Sequence, residues 1–128
     1  MEDNLIGKKL IVLEDEETNI FLLKALLERG SADAIFCTTV DEFLDIYKGD
    51  KDIVLLDIKV PGSRDGIDLL KEIKTYDPDQ PVIMTTAYPE KEKECWEHGC
   101  DEFISKPNTS AELIPKIMKL LSNLKHKR

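Results

Sequence analysis

The chain has 128 residues, of which 41% are hydrophobic and 34% charged. That composition describes one globular domain with a heavily charged surface and excludes a disordered or low-complexity chain. The net charge of −8 is uneven: residues 110–128 hold Lys116, Lys119, Lys125, Lys127 and Arg128 against Glu112, a local +4 that leaves −12 on the rest. A body that acidic repels phosphates, so direct nucleic-acid binding is not expected.

No apolar run is long enough to span a bilayer, and Met1-Glu2-Asp3-Asn4 offers no basic stretch of a signal peptide. The expectation is a cytoplasmic protein without membrane contact. Cys37, Cys95 and Cys100 are odd in number and form no C-x-x-C pair. They read as reduced, partly buried thiols rather than a zinc site or a disulfide framework.

The first apolar run is Leu10-Ile11-Val12-Leu13, followed by a helical stripe of Ile20, Leu23 and Leu27, with Leu22 and Leu26 beside it. Ala34-Ile35-Phe36-Cys37 comes next, then a stripe of Val40, Phe43, Leu44 and Tyr47. Ile53-Val54-Leu55-Leu56 precedes a third stripe of Leu69, Leu70 and Ile73. Val82-Ile83-Met84 precedes Pro89–His98, where only Cys95 and Trp96 offer apolar anchors; a short, loosely held helix is expected there. Phe103-Ile104 closes the series before a last stripe of Leu113, Ile117, Leu120, Leu121 and Leu124, with Ile114 and Met118 alongside. Pro115 cannot donate to Ala111, so that helix is expected to start late or kink.

The first, third and fourth runs are continuous rather than alternating, the mark of strands buried on both faces. Gly30, Gly49 and Gly99 follow helices, where a left-handed residue is wanted. Thr39 with Glu42, and Thr109 with Glu112, have capping-box spacing. The whole is strand–helix repeated five times: an α/β, doubly wound domain with a parallel sheet. Residues 1–128 are expected to be a single domain, with 125–128 a basic tail or the start of a linker.

In such a sheet, sites form at the carboxyl ends of the strands. Glu14 and Asp15 follow the first run, Asp57 the third, Thr85 and Thr86 the fourth, and Ser105, Lys106 and Pro107 the fifth. Clustered carboxylates repel and need a counter-charge. A hard divalent cation supplies one, and Mg²⁺ (or Mn²⁺) suits a few protein oxygens plus water and a phosphoryl oxygen. Asp57 can then act as a nucleophile, Lys106 can neutralise a second anionic oxygen, and Thr86 can hydrogen-bond an arriving phosphoryl group.

These residues stand in a wider pattern: Leu13-Glu14-Asp15-Glu16, then Val54-Leu55-Leu56-Asp57-Ile58-Lys59-Val60-Pro61-Gly62, Asp65-Gly66, Pro81-Val82-Ile83-Met84-Thr85-Thr86-Ala87 and Phe103-Ile104-Ser105-Lys106-Pro107. The pattern resembles the receiver domain of two-component response regulators, chemotaxis-regulator-like, over roughly residues 8–124. The resemblance implies a flavodoxin-like fold whose five-stranded parallel sheet has the order 2-1-3-4-5. It implies that Asp57 accepts a phosphoryl group from a sensor histidine kinase or histidine phosphotransfer protein. Glu14 and Asp15, with Asp57 and the Lys59 carbonyl, would hold Mg²⁺. Thr86 matches the switch hydroxyl, Phe103 the switch aromatic and Lys106 the site lysine. A cis bond before Pro107 is also implied.

Such a protein is a signalling domain rather than an enzyme. It would switch the face made by the fourth helix, fifth strand and fifth helix toward a downstream protein or a missing C-terminal effector domain. A phosphorylation-linked homodimer is a further expectation. The chain departs from the family pattern by one extra residue in the loop Gly62-Ser63-Arg64, by a shortened fourth helix, and by Phe103 where Tyr is frequent. Lys59 at the rim is expected to obstruct attacking water and slow phosphate loss, with Tyr88 contributing similarly. The alternative is a degenerate receiver, a protein-binding module that is never phosphorylated. A phosphohydrolase would want a second Asp where Lys59 sits, and a flavodoxin-like cofactor binder would not place Glu14-Asp15-Glu16-Glu17 against a phosphate.

Overall fold

The computed structural model describes residues 4–127, with side chains through residue 123. Leu124 and the basic residues Lys125, Lys127 and Arg128 therefore lie outside the described side chains. The elements alternate: β1 (Lys9–Leu13), α1 (Glu17–Arg29), β2 (Asp33–Cys37), α2 (Val40–Ile46), β3 (Ile53–Asp57), α3 (Gly66–Tyr76), β4 (Val82–Thr86), α4 (Glu92–Glu97), β5 (Glu102–Ser105) and α5 (Thr109–Lys127). A 3-10 turn over Pro89–Lys91 leads into α4. The strands form one parallel sheet of order β2-β1-β3-β4-β5.

Period-two alternation on the strands divides the core between the two faces of this sheet. Ile11, Leu13, Val54, Leu56, Val82, Met84 and Phe103 pack with α2, α3 and α4 through Phe43, Leu70, Ile73 and Cys95. Leu10, Val12, Leu55, Ile83 and Ile104 pack with α1 and α5 through Leu23, Leu27, Leu113 and Ile117. β3 and β4 are buried along their whole length, which is why their sequences run apolar without alternation. β2 lies at the sheet edge and leaves Ile35 exposed.

Four local expectations change. Gly30 is not left-handed; Ser31 is, at φ 63°. The α1 end is a Schellman cap, with Ser31 N–H donating to Glu28 and Ala32 N–H to Leu27. Gly30 serves close approach instead, since a Cβ there would stand 3.1 Å from Leu5 Cδ1. Gly49 and Gly99 do take positive φ. Thr109 is not a cap: the Asn108 carbonyl accepts the first backbone bonds of α5, so Asn108 occupies that position. α5 starts at Thr109 and carries Pro115 inside it, so it does not start late. Trp96 is exposed, its indole N–H donating to Glu92, and Cys95 is the buried residue of α4.

Candidate functional site at the carboxyl ends of the central strands

Strand register assembles the site. Leu13 pairs with Leu56, so Glu14 emerges level with Asp57 at the end of β3. Asp57 pairs with Thr85, and Thr86 with Ser105, which brings Lys106 alongside. The Lys106 N–H donates to the Thr86 carbonyl at 2.8 Å, extending the β4–β5 ladder past Ser105. The Lys106–Pro107 peptide bond is cis.

The result is a compact charge cluster. Lys106 Nζ donates to Glu14 Oε1 at 2.9 Å and to Asp57 Oδ2 at 3.0 Å. Both carboxylates are buried, Glu14 at 1% and Asp57 at 6% exposure, so neither can rely on bulk water. Asp15 is exposed at the mouth. One carboxylate oxygen from each of Glu14, Asp15 and Asp57 lies within 4.8 Å of the others. An all-oxygen set of three carboxylates suits a hard divalent cation, so the residues present fit Mg²⁺.

Burial pushes the Asp57 carboxyl up to about 7; the charge of Glu14 adds to the rise, and the Lys106 ammonium works against both. Burial also opposes the charge on Lys106. Its hydrogen bond to Glu14 and the charges of Asp57 and Glu14 outweigh that, holding its pKa above the ordinary lysine value. One cation thus stands between two buried anions, leaving the cluster net negative.

The other sequence-derived residues fall in two groups. Thr86 is fully buried, and its Oγ1 accepts from the Tyr88 N–H at 3.0 Å. Thr85 is buried behind Asp57, beside the Leu56 carbonyl. Lys59 is exposed at the rim, its Nζ 5.5 Å from the centroid of the Tyr88 ring. Phe103 lies on β5, the strand that leads to Lys106, turned into the core on the α2–α4 side at 6% exposure.

Comparison with known proteins places the molecule. Residues 10–118 match the family profile of the response regulator receiver domain. The chain belongs to this family. Receiver domains are signalling domains, and similar ones have been solved. TrrA from Thermotoga maritima, in complex with Mg(2+)-BeF, is 32% identical, with a TM-score of 0.79 over 89% of this chain and 99% of that one. A receiver domain protein from Clostridium thermocellum is 28% identical, with a TM-score of 0.85 over 94% and 99%. NtrX from Brucella abortus is 28% identical, with a TM-score of 0.85; it matches 96% of this chain but only 28% of its own length, so its receiver is part of a larger protein.

Three features of this receiver were not legible in the motifs. Gly66 sits against the main chain of Asp57, so that a Cβ there would overlap the Asp57 carbonyl oxygen. Its N–H donates to the Ile58 carbonyl at 2.8 Å. Asp65 and Asp68 form a reciprocal capping box at the start of α3, built without the Ser or Thr and the Glu of the usual signature. Arg64, in the loop between β3 and α3, reaches Asp41 at the start of α2 and Glu72 on α3. That double contact ties the loop to both helices. No helix among the described residues is long and apolar enough to cross a membrane.

Proposed function

We propose that this receiver domain is a phosphorylation switch in which Asp57 accepts a phosphoryl group from a phosphohistidine on a sensor kinase or phosphotransfer protein. The observation that carries the reading is the placement of Asp57: it ends the central strand β3 beside Glu14 and within hydrogen-bond distance of Lys106. An Asp57 carboxylate oxygen attacks phosphorus; the new O–P bond forms as the P–N bond to the donor imidazole breaks, and the departing ring nitrogen takes up a proton.

Glu14, Asp15, Asp57 and the Lys59 carbonyl are the residues that would hold Mg²⁺, which when bound offsets the carboxylate charge and that developing on the phosphoryl oxygens. Lys106 already bonds Asp57 and would follow the negative charge outward onto a phosphoryl oxygen. Thr86 would turn its hydroxyl toward another, exchanging its present bond with the Tyr88 amide. That movement frees the loop after β4 and lets Phe103 repack, reshaping the face formed by α4, β5 and α5. The change is a shift between two populated states. Downstream, the face would engage a protein partner, a second copy of the chain, or an effector domain joined to it. Action in the cytoplasm follows from such a donor.

The test is incubation with Mg²⁺ and acetyl phosphate, read by intact-protein mass. A gain of one phosphoryl group on the wild type, absent in Asp57→Asn and absent with a chelator, is expected. No gain on the wild type would make the domain a phosphorylation-independent binding module.

A further inference from the structure

Two of the three cysteines meet at one helix end. The α4 terminus is a Schellman cap: Gly99 takes φ 93°, its N–H donates to the Trp96 carbonyl at 3.1 Å, and the Cys100 N–H donates to the Cys95 carbonyl at 3.1 Å. In this motif the side chains of the two residues joined by the longer hydrogen-bonded loop pack together. Here both are cysteines. They are free, buried, and members of the same core cluster. Ordinary bond lengths around the 100-to-95 hydrogen bond keep their Cα atoms within about 7 Å, and disulfides span about 4.4–6.8 Å. Cys37, at the end of β2, belongs to no such pair.

The closed structure protects these thiols. Burial pushes Cys95 up to about 11 and Cys100 up to about 12, so neither is a nucleophile while α4 is packed. Yet α4 has six residues, and Cys95 is its one buried side chain. A helix held by one anchor opens at low free energy, and opening releases both sulfurs together.

We propose that Cys95 and Cys100 are a modification site: a dithiol that closes to an intramolecular disulfide, by exchange with a disulfide-bearing oxidant, when α4 opens, and so clamps the end of α4. In the first step one thiol loses its proton and attacks the oxidant; a mixed disulfide forms and one oxidant thiol leaves. In the second, the other cysteine loses its proton and attacks the mixed disulfide; the Cys95–Cys100 bond forms and the second oxidant thiol leaves. The protein gives up two electrons and two protons, and the oxidant is reduced to two thiols. No phosphoryl chemistry at Asp57 is involved.

The experiment exposes the folded chain to oxidised glutathione, alkylates the remaining thiols, and maps peptides by mass. No Lys or Arg separates Cys95 from Cys100, so trypsin leaves both in one peptide. That peptide is expected to lose two hydrogens without gaining glutathione or alkyl groups, reversibly with dithiothreitol, while Cys37 stays outside the bridge. Cys95→Ala and Cys100→Ala should each stop at the mixed disulfide. Amide exchange over α4 should slow about tenfold or more in the bridged protein. The proposal is overturned if the wild type keeps both thiols while folded, retains glutathione on one of them, or bridges through Cys37.

Discussion

Gly66 and Asp57 are in backbone contact: the first residue of α3 lies against the carbonyl of the residue that ends β3, and there is no room for a Cβ between them. The loop from Lys59 to Asp65 leaves β3 and returns to it at this point. The site carboxylate is therefore held from behind by the start of α3. Gly66→Ala must push the two main chains apart. The expected loss is about 2–4 kcal/mol of stability, measured by urea unfolding, with slowed phosphoryl uptake from acetyl phosphate. A variant with wild-type stability and uptake would show that the contact relaxes freely.

Asp57 shapes the pH dependence of stability in chelator-treated protein. Burial raises its carboxyl from 3.8 to about 7 in the folded state. The folded protein then holds this proton where the unfolded chain has released it, so the contribution of Asp57 to stability falls as pH rises between those values. Asp57→Asn removes that slope. The variant should be more stable than the wild type at pH 7.5, by about 4 kcal/mol at most, and should lose the advantage by pH 4. Thermal unfolding across that range is the measurement, and parallel curves for the two proteins would contradict it.

Lys106 bridges two buried carboxylates that lie 92 and 49 residues away in the chain. Lys106→Met leaves Glu14 and Asp57 facing each other. Removing one partner from a buried ionic cluster typically costs about 3–5 kcal/mol. The loss should be largest above pH 7 and smaller at pH 5, where Asp57 can hold a proton. Added Mg²⁺ should recover part of it. Denaturant titrations at the two pH values, with and without Mg²⁺, are the check.

Lys59 stands over the Tyr88 ring at the rim of the site. If this pair limits the approach of water, Lys59→Ala shortens the lifetime of the phosphorylated protein several-fold, and Tyr88→Ala acts in the same direction. Decay of the phosphorylated mass after donor removal gives the rate. Unchanged decay in both variants would leave Lys59 as a solvent-facing lysine.

Asp65 and Asp68 cap α3 reciprocally. Asp65→Ala removes one bond and leaves the Asp68 N–H without it. About 1 kcal/mol should be lost, with Asp57→Asn and Asp65→Ala effects interacting, because α3 begins against the Asp57 main chain. A double-mutant cycle by urea unfolding measures the coupling; strict additivity would separate the cap from the site.

The sequence by itself determined the alternation of five strands and five helices, because burial on both faces of a parallel sheet leaves continuous apolar runs that periodicity detects. It also placed Glu14, Asp57, Thr86 and Lys106 at the carboxyl ends of core strands, because each directly follows such a strand or ends one. Tertiary structure alone decided what those residues touch. That Lys106 spans Glu14 and Asp57, that Gly66 abuts Asp57, and that Arg64 ties its loop to α2 and α3 all depend on strand register and on chain segments far apart in sequence. Local caps fell between the two. Ser31 takes the left-handed position that glycine usually fills, while Gly30 packs against Leu5, and Asn108 rather than Thr109 caps α5. Packing against Leu5, distant in sequence, accompanies the first; the second is a shift of one residue between neighbours that both favour the cap, which residue preference alone does not resolve.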